Sequence, residues 1–297
     1  MRWRRLPKGQ GQIDDRRGRS SAGGRMPIPA GRVGGGLGIV ALILVVAVAC
    51  LTGQSFVGGG EESGFDGLGL EPLPAAPDAT QNEPVDNPPD AAADFVGRIS
   101  GDIQRLWTRE FRRAELDYRP TTIVLFSRST RGGCGPASSA TGPFYCTLDR
   151  KIYIDLGFFN QLAQRFGAPG DFAQAYVIAH EYGHHVQNLL GISRRVREVA
   201  TRSNQNEFSI RTELQADCFA GVWGHSAYQQ ELLEAGDIEE GMGAAEAVGD
   251  DRIQATTTGR VDPESFNHGT SDQRREWFLR GFESGDPKTC DTFSGGI

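Results

Sequence analysis

The run His180-Glu181-Tyr182-Gly183-His184-His185 constrains this chain more than any other feature. It follows the apolar stretch Phe172, Ala175, Tyr176, Val177, Ile178 and Ala179, so the spacing predicts a largely buried helix. Helical positions four apart share a face, so His180 and His184 can present two imidazoles to one metal ion. Glu181 is then near enough to take a proton from a water on that metal. Two histidines with a neighbouring glutamate suit Zn2+ and amide hydrolysis. The competing reading is an exposed helix with incidental histidines. It requires two of only five histidines to bracket a glutamate at this spacing by accident.

A catalytic zinc takes three protein ligands and keeps its fourth position for water. The extended pattern with a Gly and a third His fails here, because Gln187 and Leu190 occupy those positions. A helix expected over Thr212–Tyr228 offers Glu213 and, four residues on, Asp217. We read Glu213 as the third ligand and Asp217 as acceptor of the outer N–H of a ligand histidine. Asp217 as the ligand is the main rival, with His225 behind it. Two surface carboxylates would be the bland alternative, but Leu214, Ala216, Cys218, Phe219 and Ala220 make the stretch look buried, where unpaired carboxylates are costly. His185 lies about 100° around the helix from His184 and reads as packing or support.

The first 32 residues carry nine Lys or Arg against two Asp, while the whole chain is at −7. A basic head on an acidic body argues against nucleic-acid binding and for a membrane topology signal. Val33–Val57 has no charged residue and is long enough for one bilayer crossing of about 20 residues. Arg2, Arg4, Arg5, Arg16, Arg17, Arg19, Arg25 and Arg32 then place the N-terminus in the cytoplasm, and the rest outside it. A cleaved signal peptide ending near Ala47-Val48-Ala49, or a lipid on Cys50, competes with an uncleaved single-pass anchor, which we favour. Residues 58–93 read as a flexible acidic Gly/Pro linker and 94–297 as one domain. Its cysteines, Cys134, Cys146, Cys218 and Cys290, suggest two disulfides in an oxidising compartment. Cys134 and Cys146 bracket a Gly/Pro/Ser loop, which pairs them and leaves Cys218 for Cys290. Four cysteines permit three pairings, and no C-x-x-C spacing supports a zinc set.

Apolar spacing predicts a helix over 93–116, a strand over 121–126 and a hairpin of 144–148 with 151–155. Helices are expected at 156–166, at 171–190 with Asp171 as cap, and after a Ser193 cap. Further helices are expected at 212–228, 237–248, 249–257 and 272–283, the last after a Thr270-Ser271 cap. A few strands followed mostly by helices is an α+β pattern.

Three segments together carry a resemblance: His180–Asn188, Glu213–Trp223 and His268–Arg274. With Cys134–Cys146, they resemble the neutral zinc metallopeptidase family of bacteria, whose members have one N-terminal membrane segment. Glu213 to Asp217 is also similar to the E-x-x-A-D segment of glutamate-zincins such as the HtpX-like and CAAX-prenyl peptidases. That likeness implies a mostly helical zincin-like domain, Zn2+ as cofactor, Glu213 as ligand, and a late histidine, here His268, steadying the tetrahedral intermediate. From its residues alone, His268 could equally be a plain loop residue, and Tyr182 or Tyr176 could serve the oxyanion instead. Glu181 would be the general base in cleaving a protein or peptide substrate. The alternatives are a membrane-tethered zinc scaffold without activity and an amidase of cell-wall peptides.

Overall fold

The computed structural model describes residues 1–9, 11–18 and 90–297. Asp90 opens the first helix, α1 (Ala91–Arg113), by accepting from the N–H groups of Ala92 and Ala93, donors that a helix start leaves bare. Phe95, Ile99, Ile103, Leu106, Trp107 and Phe111 form its buried face, as their spacing predicts. The last residues of the expected linker therefore belong to the fold.

A four-stranded sheet follows from β1 (Gln12–Asp15), β2 (Thr122–Phe126), β5 (Phe144–Cys146) and β6 (Lys151–Asp155), in the order β1-β2-β6-β5. β1, β2 and β6 run parallel, while β5 and β6 form the expected antiparallel hairpin with Cys146 opposite Lys151. A second hairpin of β3 (Ser129–Gly132) and β4 (Gly135–Ser138) precedes β5. It has too few apolar residues to be read from a period-two pattern. Disulfides join Cys134 to Cys146 and Cys218 to Cys290, the expected pairing.

Helices then dominate: α2 (Gly157–Gln164), α3 (Asp171–Leu189), α4 (Ile192–Val199), α5 (Gln205–Gln229), α6 (Asp237–Ala247), α7 (Asp250–Thr257) and α8 (Ser271–Ser284). The α+β expectation holds. Two expected caps differ. Gly170 and Gly191 occupy the cap positions of α3 and α4 in place of Asp171 and Ser193, both with positive φ that side chains avoid. α5 starts seven residues before the expected Thr212, because the only large apolar residues of its first two turns, Phe208 and Ile210, lie two apart and make no helical period. α8 has the expected Thr270 cap, completed by Gln273 in a capping box.

α5 is the hub of the helical layer. A Cβ on Gly183 of α3 would meet the backbone of Ala216 at 2.8 Å, so α3 and α5 touch main chain to main chain beside the histidines. Gly221 of α5 and Gly281 of α8 allow a second such approach.

The first 18 residues depart most from the sequence reading. Residues 1–9 and 11–18 are not a separate head; they pack into the same unit as 90–297. Met1, Trp3 and Leu6 are buried in the main core, and the Trp3 ring meets Phe95 edge-on at 5.3 Å. Arg98 donates to the carbonyls of Arg4 and Leu6, and the Arg2 N–H donates to the Leu232 carbonyl at 2.7 Å. The Met1 amine sits 2.6 Å from Asp171 and 3.3 Å from Asp237, which is what the Asp171 carboxylate does instead of capping α3. Among the described residues no helix is long and apolar enough to cross a membrane. The expected anchor, Val33–Val57, lies outside the described residues.

Candidate metal centre

α3 and α5 cross where Gly183 meets Ala216, and this contact brings Glu213 over the histidine pair. His180 Nε2 lies 3.2 Å from one Glu213 carboxylate oxygen, and His184 Nε2 lies 3.4 Å from the other. One donor atom from each of the three residues falls within 4.8 Å of the others. Two imidazole nitrogens and a carboxylate make a donor set suited to Zn2+. Among the described residues, Glu181 Oε2 is buried with no hydrogen-bond partner. A buried carboxylate oxygen without a partner is costly, and burial raises the Glu181 pKa against the opposing pull of His184 and His180.

The outer nitrogens of both histidines are held. His180 Nδ1 bonds the Asp217 carboxylate at 2.8 Å. Asp217 also accepts from the Tyr176 hydroxyl at 2.5 Å and from Arg274 Nε and Nη2 at 2.8 and 2.9 Å. Burial would raise the Asp217 pKa, but Arg274 and His180 outweigh it and hold the group ionised below its usual range. Burial likewise would lower His180, yet Asp217 and Glu213 push it up to about 10. His184 Nδ1 bonds Gln187 Oε1 at 2.9 Å, and Gln187 in turn donates to the Thr212 carbonyl and to Gln215 Oε1. The amide's oxygen therefore faces His184, so Nδ1 is the donating nitrogen and Nε2 is the one turned toward Glu213.

The remaining candidates separate cleanly. His185 is fully buried, between the Tyr145 hydroxyl and the Arg119 carbonyl, and burial lowers its pKa to about 4. His225 bonds the Phe282 carbonyl and Gln229 and is not in the cluster. Tyr182 is core packing with its hydroxyl 2.6 Å from Ser100, and the Tyr176 hydroxyl is taken by Asp217. His268 is partly exposed in the loop before α8; burial would raise the Glu213 pKa, but His184 and His180, with His268 adding least, hold it well below its usual value. Asp250 fixes it, accepting from His268 Nδ1 at 2.9 Å and from the backbone N–H groups of Asn267, His268 and Gly269.

Comparison with known proteins agrees with this chemistry. The family profile described as "Putative neutral zinc metallopeptidase" matches residues 1–293. The chain belongs to this family. The uncharacterized protein YpfJ of Escherichia coli (strain K12) is 44% identical over 303 residues, covering 100% of both chains. The uncharacterized protein Rv2575 of Mycobacterium tuberculosis (strain ATCC 25618 / H37Rv) is 50% identical over 188 residues, covering 60% of this chain and 64% of its own. No solved structure matches. Family membership accounts for the zinc-type donor set. Arg274, Gln187 and Asp250 were not assigned roles from sequence. Asp250 meets His268 across 18 residues of sequence, and no local pattern links the two.

Proposed function

We propose that the protein is a zinc-dependent endopeptidase acting outside the cytoplasm, attached to the membrane by the apolar stretch Val33–Val57. The observation that carries the peptidase reading is the convergence of His180 Nε2, His184 Nε2 and the Glu213 carboxylate beside a buried, partnerless Glu181 oxygen. His180, His184 and Glu213 would hold the ion. Asp217 is poorly suited to the ligand role, because Tyr176, His180 and Arg274 already occupy its oxygens.

Zinc held there would lower the pKa of a water to about 7 and polarise a carbonyl. The protein's own groups do the rest. Glu181, raised by burial, takes the proton of the attacking water and passes it to the leaving amine. Asp217 and Gln187 engage Nδ1 of each histidine, which turns Nε2 toward Glu213 as the nitrogen that would meet the ion. His268, with Nδ1 fixed by Asp250, has Nε2 left to donate to the developing oxyanion. Placement outside the cytoplasm rests on the two disulfides.

The test is metal content of the purified full chain and of His180→Ala and Glu213→Ala. The parent should hold one zinc per chain, and both variants should lose it. A parent without zinc after loading rules the reading out, while full zinc in Glu213→Ala moves the third ligand elsewhere.

A further inference from the structure

The charge pattern of residues 1–32 predicts a cytoplasmic head; the packing of residues 1–9 and 11–18 says otherwise. β1 is an integral strand: Ile13 pairs with Ile123 and Asp14 with Val124, and the Arg16 N–H continues the ladder to the Leu125 carbonyl at 2.8 Å. Trp3 and Leu6 share one core with Val96, Ile99, Phe172 and Trp223. Arg17 pairs with Asp90, the cap of α1, so the chain leaves the fold and re-enters it at adjoining points. Two strands of one sheet lie on one side of any membrane. The same unit carries both disulfides, with Cys146, Cys218 and Cys290 buried, which places it in an oxidising compartment.

The sequence between the two parts allows at most one crossing. A span needs about 20 apolar residues, and Val33–Val57 supplies enough for one but not for two. No second apolar run exists between 58 and 89, where Glu61, Glu62, Asp66, Glu71 and Asp78 recur among Gly and Pro. One crossing would put residues 1–18 and 90–297 on opposite faces. We infer that residues 1–18 and 90–297 sit together on the extracytoplasmic face, and that the apolar stretch attaches the protein without carrying the chain across the bilayer. Arg16 and Arg17 then serve the fold instead of orienting the chain: Arg16 bonds Asp14 and the Arg131 carbonyl, and Arg17 bonds Asp15 and Asp90. This inference stands apart from the peptidase reading, since it needs no metal and no activity.

The test uses the full chain in cells, with Cys50→Ser to leave only disulfide-bonded cysteines. Lys8→Cys and Tyr228→Cys, both exposed positions, are labelled separately with a membrane-impermeant maleimide on spheroplasts. In a second variant, Gln12→Cys with Thr122→Cys probes strand pairing, because these residues are register partners with side chains 3.2 Å apart. A protease site placed between 58 and 89 then reports whether the two halves stay covalently joined. Labelling of both sites without permeabilisation, and halves that separate only on reduction, is expected. Labelling of Tyr228→Cys alone, with no cross-link, overturns the inference in favour of a single crossing. Labelling of neither site until permeabilisation overturns the extracytoplasmic placement.

Discussion

Arg274 grips Asp217 with two parallel hydrogen bonds, from Nε and Nη2, in a site where both side chains are almost fully excluded from water. This pair lets α5 carry an ionised carboxylate behind His180. Arg274 also donates to the Val248 carbonyl, which ties α8 to the end of α6 and to the histidine helix together. Replacing it with Gln leaves Asp217 buried against Tyr176 and His180 alone. Breaking a buried pair of this kind costs about 3–5 kcal/mol. Urea unfolding of Arg274→Gln should show that loss, and Arg274→Lys should not restore it, because an ammonium cannot make the two-point contact. Parent-like stability in Arg274→Gln would mean that Asp217 is held by other means.

Gln187 should matter to metal more than to folding. Its amide fixes the proton on His184 Nδ1 while its own N–H groups hold Thr212 and Gln215 on α5. Gln187→Leu, nearly isosteric, should weaken zinc affinity about 10- to 100-fold, the usual effect of losing a ligand's outer partner. Competition with a chelating dye measures it. Unchanged affinity would remove Gln187 from the site.

Asp250 gives a pH signature. Burial would raise its pKa, but the hydrogen bond and charge of His268 outweigh it, so the folded value lies below the usual one. A depressed carboxylate stabilises the fold fully above its unfolded pKa of about 3.9 and loses that contribution as pH falls through the lower folded value. In chelator-treated protein, Asp250→Asn should melt below the parent at pH 6, and the gap should close as pH falls below about 4. A gap constant across that range would contradict the pairing.

How much of this was legible in the sequence follows from where each signal is stored. His180, Glu181 and His184 are readable because their geometry is local: one helix, one face, positions four apart. Glu213 and Asp217 are nearly as local, once a buried helix is expected to need a reason for two carboxylates. Arg274 and Gln187 are not local. Arg274 finds its carboxylate 57 residues away, and Gln187 carries no charge to draw attention. β1 was hidden for a different reason. Its four residues are too few for a period, and its flanking arginines mimic a topology signal while making ordinary ion pairs. The early start of α5 is similar, since Phe208 and Ile210 alone, two residues apart, leave no helical spacing to read.

The most direct measurement compares zinc-loaded full-length parent with Glu181→Gln on unfolded casein, with metal content checked in both. Removing a general base costs about 100- to 10,000-fold in rate. The expected result is equal zinc in the two proteins and a kcat reduced by at least about 100-fold in Glu181→Gln. Cleavage at the parental rate by a fully loaded Glu181→Gln would contradict the role assigned to the buried Glu181 carboxylate at the centre of this site.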